Sequence, residues 1–446
     1  MPDVLLINPA WGGMVSRRGS RYNRRWPPLD LLNLAALLRR QGASVELMDA
    51  RAVPTAPRVL RAVAARAEMV FLTSSPLDRW QCPNLELAAF AGLSRQLQHP
   101  RLVVLGVHGT VQPAGVLAAS GAWALVRGEP ELSAAALARG AARRATPGAA
   151  WLEDGELALG PEPEPVELAA LPRPAFDLAP PHLYEYEVLG GDFALLETSR
   201  GCPFSCRFCL KAMYGPGMRY KELDQVLAEV AAVRRLGARH FYFMDLEFTA
   251  NRSRALELCA RLAGMNHGLA WCCQTRVDTV DPEVLAALAG AGCRLVHYGV
   301  ESGSPAVLER LGKKITPQQV RRAVAQTRDA GMQAACFFML GFPGESEADR
   351  AATLALARSL PAGMASFHLA TPYPATGLAA DCPGVAPWSE FDSEHFSRAH
   401  LEAWQRRAYL GFYLNPRRLA GLLAHGGPAF IKRGGKLLAG FLRRPG

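Results

Sequence analysis

The chain contains no apolar run approaching the roughly 18 residues of a membrane-spanning helix. Its start, MPDVLLINPAWGG, lacks a basic leader, an apolar stretch and a cleavage site. From both absences a cytoplasmic protein is expected. Ten cysteines in 446 residues are too few for a disulfide scaffold, so free thiols in a reducing compartment are expected. Low-complexity tracts are missing, as are internal repeats beyond a recurring strand–helix unit. Acidic residues are missing after Glu402, where Arg406, Arg407, Arg417, Arg418, Lys432, Arg433, Lys436, Arg443 and Arg444 follow. Nearly all of the net charge of +10 therefore sits in the tail, and the body is almost neutral. The remainder is a globular composition, half hydrophobic and one-fifth charged, long enough for two or three domains.

Residues 1–145 alternate short apolar strands with amphipathic helices. Strands are read at Val4–Ile7, Ser44–Met48, Met69–Thr73, Leu102–Leu105 and Ala124–Val126. Such alternation predicts a parallel, doubly wound sheet whose ligand lies outside the carboxyl ends of the strands. Those ends carry Asn8 to Trp11, Asp49, the loop Ser74 to Gln81 with Ser75, then GVHGT (Gly106, His108, Thr110) and RGEPE (Gly128, Glu129). Small, flexible residues there let a large planar ligand approach the backbone. On these residues alone a nucleotide or flavin would fit as well. Residues 146–191 are rich in proline, with an acidic stretch at 162–165, and read as a surface linker from which Tyr184 and Tyr186 either pack at the surface, the favoured reading, or reach back into a site.

Residues 192–380 repeat the alternation six times, from a strand at Phe193–Glu197 to one at Ala365–Leu369, which predicts a partial (β/α)6 barrel. Every polar motif in this half falls after a strand. The first strand delivers TSRGCPFSCRFCLKAMY, with Cys202, Cys206 and Cys209 spaced CxxxCxxC. Three soft thiolates that close together suit an iron–sulfur cluster, and a cubane held by three cysteines leaves one iron open to a small molecule. A zinc site would pair CxxC with a second CxxC or a histidine pair, and neither follows. Cys259, Cys272, Cys273, Cys293 and Cys336 sit in apolar patterns and read as small hydrophobes, while Cys82 and Cys382 read as loop thiols.

The cysteine triplet, with Phe208 just before its last member, resembles the cluster loop of the radical S-adenosylmethionine (SAM) superfamily. GVHGT and RGEPE resemble the GxHxT and RGExE elements of its cobalamin-binding branch, and the resemblance runs from about Val4 to Leu378. It implies a Rossmann-like cobalamin-binding domain at 1–145, a radical SAM barrel at 192–380 and a helical region at 381–446. It also implies a [4Fe-4S] cluster on Cys202, Cys206 and Cys209. SAM contacts are implied from Phe208, Asp245, Glu247, Arg276, Glu301, Ser302, Gly341 and Gly344. For cobalamin the implied contacts are Asn8, Ser74, Ser75, Gly106, His108, Thr110, Gly128 and Glu129. The DxHxxG motif that supplies a lower cobalt ligand elsewhere is absent, so His108 is expected to shape the loop. At Asp245-Leu246-Glu247 the glycines of the usual Gly-Gly-Glu are missing, and Ala375 replaces a glycine of the PxPGT element.

The resemblance implies a methyltransferase that uses a 5′-deoxyadenosyl radical and methylcobalamin on an unactivated carbon of a lipid, tetrapyrrole or secondary metabolite. A cyclase or ring-rearranging enzyme with the same cofactors is the alternative, and a cluster-bearing electron carrier is a second. An external one-electron reductant such as flavodoxin or ferredoxin is implied as partner. No nucleic-acid-binding module is evident. On a helical wheel from Phe430 to Arg444 the apolar residues take one side and Lys432, Lys436 and Arg443 the other. That basic amphipathic pattern suits peripheral contact with the inner face of a membrane.

Overall fold

A strand of four or five apolar residues is stable only where both of its faces are covered, and the first half of the chain supplies such covers at regular intervals. The computed structural model describes residues 2–10, 25–84, 87–383, 398–415 and 418. Trp11 and the amphipathic segment Phe430 to Arg444 lie outside the described residues. The chain divides into two units, one of residues 1–186, 191–201 and 210–244, the other of 187–190, 202–209 and 245–446.

The first unit is built on strands β1 (Val4–Asn8), β2 (Val45–Asp49), β3 (Met69–Thr73), β4 (Leu102–Leu105) and β5 (Ala124–Val126). They stand in the order β2-β1-β3-β4-β5 and pair in parallel. Alternate side chains enter two separate cores. Val4, Leu6, Phe71, Val103 and Leu105 pack on one face, against Leu31, Leu34 and Leu38 of the helix Leu29–Arg40. Leu5, Ile7, Val70, Leu72 and Val104 pack on the other, against Phe90, Leu93 and Leu97 of the helix Ala88–Leu97. Each such buried side chain contributes about 1.5–3 kcal/mol.

Within the stretch expected as a linker, β6 (Ala149–Glu153) and β7 (Glu156–Leu159) extend the sheet as an antiparallel hairpin. Its turn is Asp154-Gly155, both at positive φ (52° and 87°), the pairing that a two-residue hairpin favours. Tyr184 and Tyr186 are not surface residues. Both are buried; the Tyr184 hydroxyl donates to Asp49 Oδ2 at 2.9 Å, and Tyr186 joins Trp26, Phe193 and Tyr242 in an aromatic cluster. An apolar ring with a polar tip needs a partner once buried, and the Asp49 carboxylate supplies it.

Six further strands, each followed by a helix, are those of a partial (β/α)6 barrel. In the first unit β8 (Phe193–Leu196) pairs in parallel with β11 (His240–Phe243), and between them β9 (Ser199–Arg200) and β10 (Arg219–Tyr220) form a short antiparallel ladder. In the second unit β12 (Ala270–Thr275), β13 (Cys293–Glu301), β14 (Gln333–Leu340) and β15 (Met364–Leu369) pair in parallel in that order. The intervening helices start where capping chemistry dictates. Asn251, Asp281 and Thr316 each accept the backbone N–H three residues on, and Ser346 and Asp349 form a capping box. Among the described residues no helix is long and apolar enough to cross a membrane.

Ala375 sits at φ 64°, the left-handed region that a Cβ disfavours. Ala375→Gly is expected to stabilise the protein by about 1 kcal/mol in denaturant unfolding; a loss of stability would show that the turn is not strained.

Candidate active site

The cysteine loop leaves the end of the β8 segment and is pinned at its middle. Arg207 N donates to Leu311 O at 3.0 Å, Leu378 N donates to Arg207 O at 2.9 Å, and the Arg207 guanidinium pairs with Asp381. Gly377 lies so close to Arg207 that a Cβ would come 3.3 Å from it, so the TPYPATG segment after β15 closes on the loop. Cys209 N donates to Cys206 O at 3.2 Å, turning the chain between the two thiols. Cys202, Cys206 and Cys209 are half-buried, whereas Cys259, Cys272, Cys273, Cys293, Cys336 and Cys382 are buried and Cys82 is exposed.

Among the described residues no three His, Cys, Asp or Glu side chains converge to hold a metal ion. A cubane makes no such demand, because each thiolate binds a different iron. What the loop has instead is a cation. Arg276 Nη1 lies 3.7 Å from Cys206 Sγ, and its guanidinium stacks 3.9 Å from the centre of the Phe204 ring. Asp278 holds the guanidinium with two bonds of 2.8 Å, and Arg276 Nη2 donates to Lys313 O at 2.5 Å. The guanidinium thus presents a positive fork to the Cys206 sulfur from inside the site.

Lys313 is the residue that sequence reasoning missed. Its buried ammonium lies 3.0 Å from Glu301 Oε1 and 5.8 Å from the centre of the Phe208 ring. Burial alone would push the ammonium down; the Glu301 carboxylate holds it above its ordinary value, so it is charged. The only signal was Gly312-Lys313-Lys314 in a loop, where a lysine is ordinarily solvated. Glu301 itself has φ 66°, at a register break at the end of β13. Gly299 leaves room beside it, since a Cβ there would stand 2.6 Å from Glu301 Oε1 and 3.0 Å from Lys313 Nζ and push the pair aside. Phe208 and Phe342, with ring centres 6.2 Å apart, cover the same place with apolar surface. A cluster, and a small zwitterion bound beside it, would find thiolates, a guanidinium, an ammonium and a carboxylate in one partly dry site.

Other expected SAM contacts are tied to their own loops. Glu247 is buried, and its Oε1 accepts from Thr275 Oγ1, Thr279 Oγ1 at 2.9 Å, Arg276 N at 3.1 Å and Thr249 Oγ1 at 3.3 Å. Burial lifts its carboxyl above the ordinary range despite these donors. Ser302 Oγ is 3.0 Å from Thr353 Oγ1 and accepts from Ser304 N at 3.1 Å. Gly341, at φ 89°, donates its N–H to Glu345 Oε2 at 2.6 Å, and a Cβ there would strike Leu401 at 2.7 Å. Gly344 has φ 69° and open space around it, and Asp245 is buried at the strand end.

The first unit carries a second constellation at the carboxyl ends of β1–β5. Gly106 has φ 103°, and a Cβ there would stand 2.7 Å from Ser75 Oγ and 2.8 Å from Ser74 Oγ. Ser75 Oγ accepts from Val107 N at 2.8 Å. His108 lies in a short helical turn, with Nδ1 3.0 Å from Ser74 Oγ and Nε2 2.8 Å from Asn84 O, so both ring nitrogens are engaged in its own loops. Thr110 Oγ1 accepts from Gly128 N at 3.0 Å and is 3.1 Å from Met213 Sδ. Asn8 Nδ2 donates to Asp49 Oδ1 at 2.9 Å. Two buried polar atoms, Asn8 Oδ1 and Asn84 Nδ2, have no hydrogen-bond partner among the described residues, which suits a polar ligand laid against them. Glu129 stands apart: both of its carboxylate oxygens bind Arg219, at 2.6 and 2.7 Å.

A profile of the radical SAM superfamily matches residues 196–357. An uncharacterized methyltransferase of Pyrococcus horikoshii is 30% identical over 440 residues, covering 93% of each chain. The anaerobic magnesium-protoporphyrin IX monomethyl ester cyclase of Rubrivivax gelatinosus is 26% identical over 88% of this chain and 72% of its own. Among solved structures, the radical SAM methyltransferase TsrM from Kitasatospora setae, with cobalamin and a [4Fe-4S] cluster bound, superposes with a TM-score of 0.71 at 21% identity, over 87% of this chain and 79% of its own.

Burial holds the His108 imidazole down at about 4, well below its ordinary 6.5. The unfolded imidazole then binds protons that the folded one does not, so the contribution to stability is complete above about pH 6.5 and is lost as pH falls toward 4. Imidazole NMR is expected to show His108 neutral throughout pH 5–8, and a midpoint near 6.5 would contradict this burial.

Proposed function

Because the chain belongs to the radical SAM superfamily, and has the fold of its cobalamin-dependent methyltransferase TsrM, we propose that it transfers a methyl group to an unactivated carbon of a small molecule. The observation that carries this reading is the presence in one chain of both sites: a cation-backed cysteine loop, and a strand-end cradle whose glycine, at positive φ, leaves no free space for a Cβ. Cys202, Cys206 and Cys209 would hold the [4Fe-4S] cluster, and the strand-end loops with Asn8, Ser74, Ser75, Gly106, His108, Thr110 and Gly128 would hold cobalamin. When bound, the cluster supplies the electron that cleaves SAM to a 5′-deoxyadenosyl radical, and cobalamin supplies a transferable methyl group.

The chain's own residues prepare both sites. Arg276 places its guanidinium beside Cys206 Sγ and, through Lys313 O, fixes the segment that carries the ammonium. Lys313 meets a carboxylate and Glu301 an amino or hydroxyl group of SAM, at positions set by their own ion pair. Phe208 and Phe342 present apolar surface that would exclude water beside the cluster loop. Neutral His108 holds Ser74 and the Asn84 carbonyl in place, so that it would shape the loop against a bound corrinoid. A tetrapyrrole substrate is supported by the cyclase relative, which acts on a magnesium porphyrin. That relative also favours a second reading, ring closure without methyl transfer. An external one-electron donor completes either reaction.

Each of Cys202→Ala, Cys206→Ala and Cys209→Ala is expected to reduce 5′-deoxyadenosine formation to background in anaerobic assays, and full activity in any one removes the reading. Gly106→Ala is expected to lose bound corrinoid while keeping its iron. Corrinoid retained at the parent level would mean that β1–β5 hold another ligand.

A further inference from the structure

The motif RGEPE was expected to meet cobalamin through Glu129, yet that carboxylate is fully committed inside the protein. Its Oε1 accepts from Arg219 Nη2 at 2.6 Å, and its Oε2 accepts from Arg219 Nη1 at 2.7 Å and from Val166 N at 2.8 Å. The same Oε2 lies 3.7 Å from Arg200 Nη1. Arg200 is 1% exposed and is also held by Glu197, at 2.9 Å through Nε and through Nη2, and by Glu131 of the same motif at 2.6 Å. Asn33 Nδ2 donates to Glu197 at 2.9 Å, and Trp80 lies under the Arg200 guanidinium at 5.5 Å. Burying an arginine among three carboxylates costs several kcal/mol per ion in desolvation, and apolar residues would often serve stability as well. Such an arrangement is kept for geometry.

Its two arginines stand at the feet of the cysteine loop. Arg200 and Arg219 are directly paired across the β9–β10 ladder, the chain leaves at the first and returns at the second, and all three cysteines lie between them. The ladder has only two residue pairs, Ser199 with Tyr220 and Arg200 with Arg219, which by itself is marginal. Where the two feet cross, Gly201 has φ 95° and a Cβ on it would stand 2.0 Å from Gly217 O. One carboxylate thus reaches the arginines on both feet, and bidentate pairing to Arg219 fixes direction as well as distance.

We infer that Glu129 is a positioning residue for the iron–sulfur cluster: through Arg200 and Arg219 it fixes the feet of the cysteine loop and hence the spacing of the three ligands. The inference rests on the proposed role of Cys202, Cys206 and Cys209. The pairing needs the planar fork of arginine, so lysine at 219 cannot reproduce it.

The test uses the full chain, reconstituted anaerobically with iron and sulfide, as the parent, Glu129→Gln, Arg219→Ala and Arg219→Lys. Arg219 has a side chain 14% exposed, so its variants are expected to fold even where Glu129→Gln does not. Two readouts are taken besides the melting temperature: the rate at which a ferrous chelator strips the cluster, and the EPR spectrum of the reduced cluster with and without SAM. Stripping about 10-fold faster, with EPR signals broadened into several species, is expected in the folded variants, with Arg219→Lys no better than partial. Folded variants that lose iron at the parent rate and give the parent spectrum overturn the inference. A parent chain that takes up no cluster overturns the role of the cysteines themselves, and the positioning role with it.

Discussion

Two buried or half-buried cations stand beside the cysteine loop, and the groups around them are arranged so that neither is left unpaired. The attraction between a thiolate and a guanidinium grows several-fold as the effective dielectric falls. A cation taken out of water is tolerated only if it is paired. Arg276 therefore carries Asp278, Lys313 carries Glu301, and the two pairs are joined by the bond from Arg276 to the Lys313 carbonyl. The left-handed backbone of Glu301 is the strain accepted to aim its carboxylate, and Gly299 is the space that the pair requires.

Parallel strands dictate where such groups can stand. Their faces are covered by helices, so polar chemistry collects where the strands end and the loops begin. In the first unit this puts the Gly106 turn, the His108 loop and the amide of Asn8 beyond the carboxyl ends of β1 to β5. In the second it puts Arg276 after β12, Glu301 at the end of β13 and Gly341 after β14. Two unlike cofactors can then be served by one chain, each by the same structural logic.

Much of this was legible in residue order. The strands and helices follow apolar periodicity, and their starts follow caps such as Asn251, Asp281 and Ser346. The cysteine triplet and Arg276 were readable because ligand spacing and strand ends are local features. Partners distant in sequence were not. Glu247 looked like an open carboxylate, yet Thr275 and Thr279 close on it from the next strand end. Lys313 drew no reading, because its partner Glu301 meets it only in the folded chain. Tyr184 found Asp49 across 135 residues, and Glu129 found Arg219 across 90. The hairpin of β6 and β7 was hidden by the prolines that follow it, although its Asp-Gly turn was in view.

The central claim is that one chain unites an iron–sulfur cluster with a corrinoid to methylate carbon. Its most direct test is to load the protein anaerobically with iron, sulfide and cobalamin, and then to measure metal content and the fate of SAM under reduction. About four irons and one corrinoid per chain are expected, with both 5′-deoxyadenosine and S-adenosylhomocysteine formed. A chain that binds no corrinoid and makes no S-adenosylhomocysteine would contradict it.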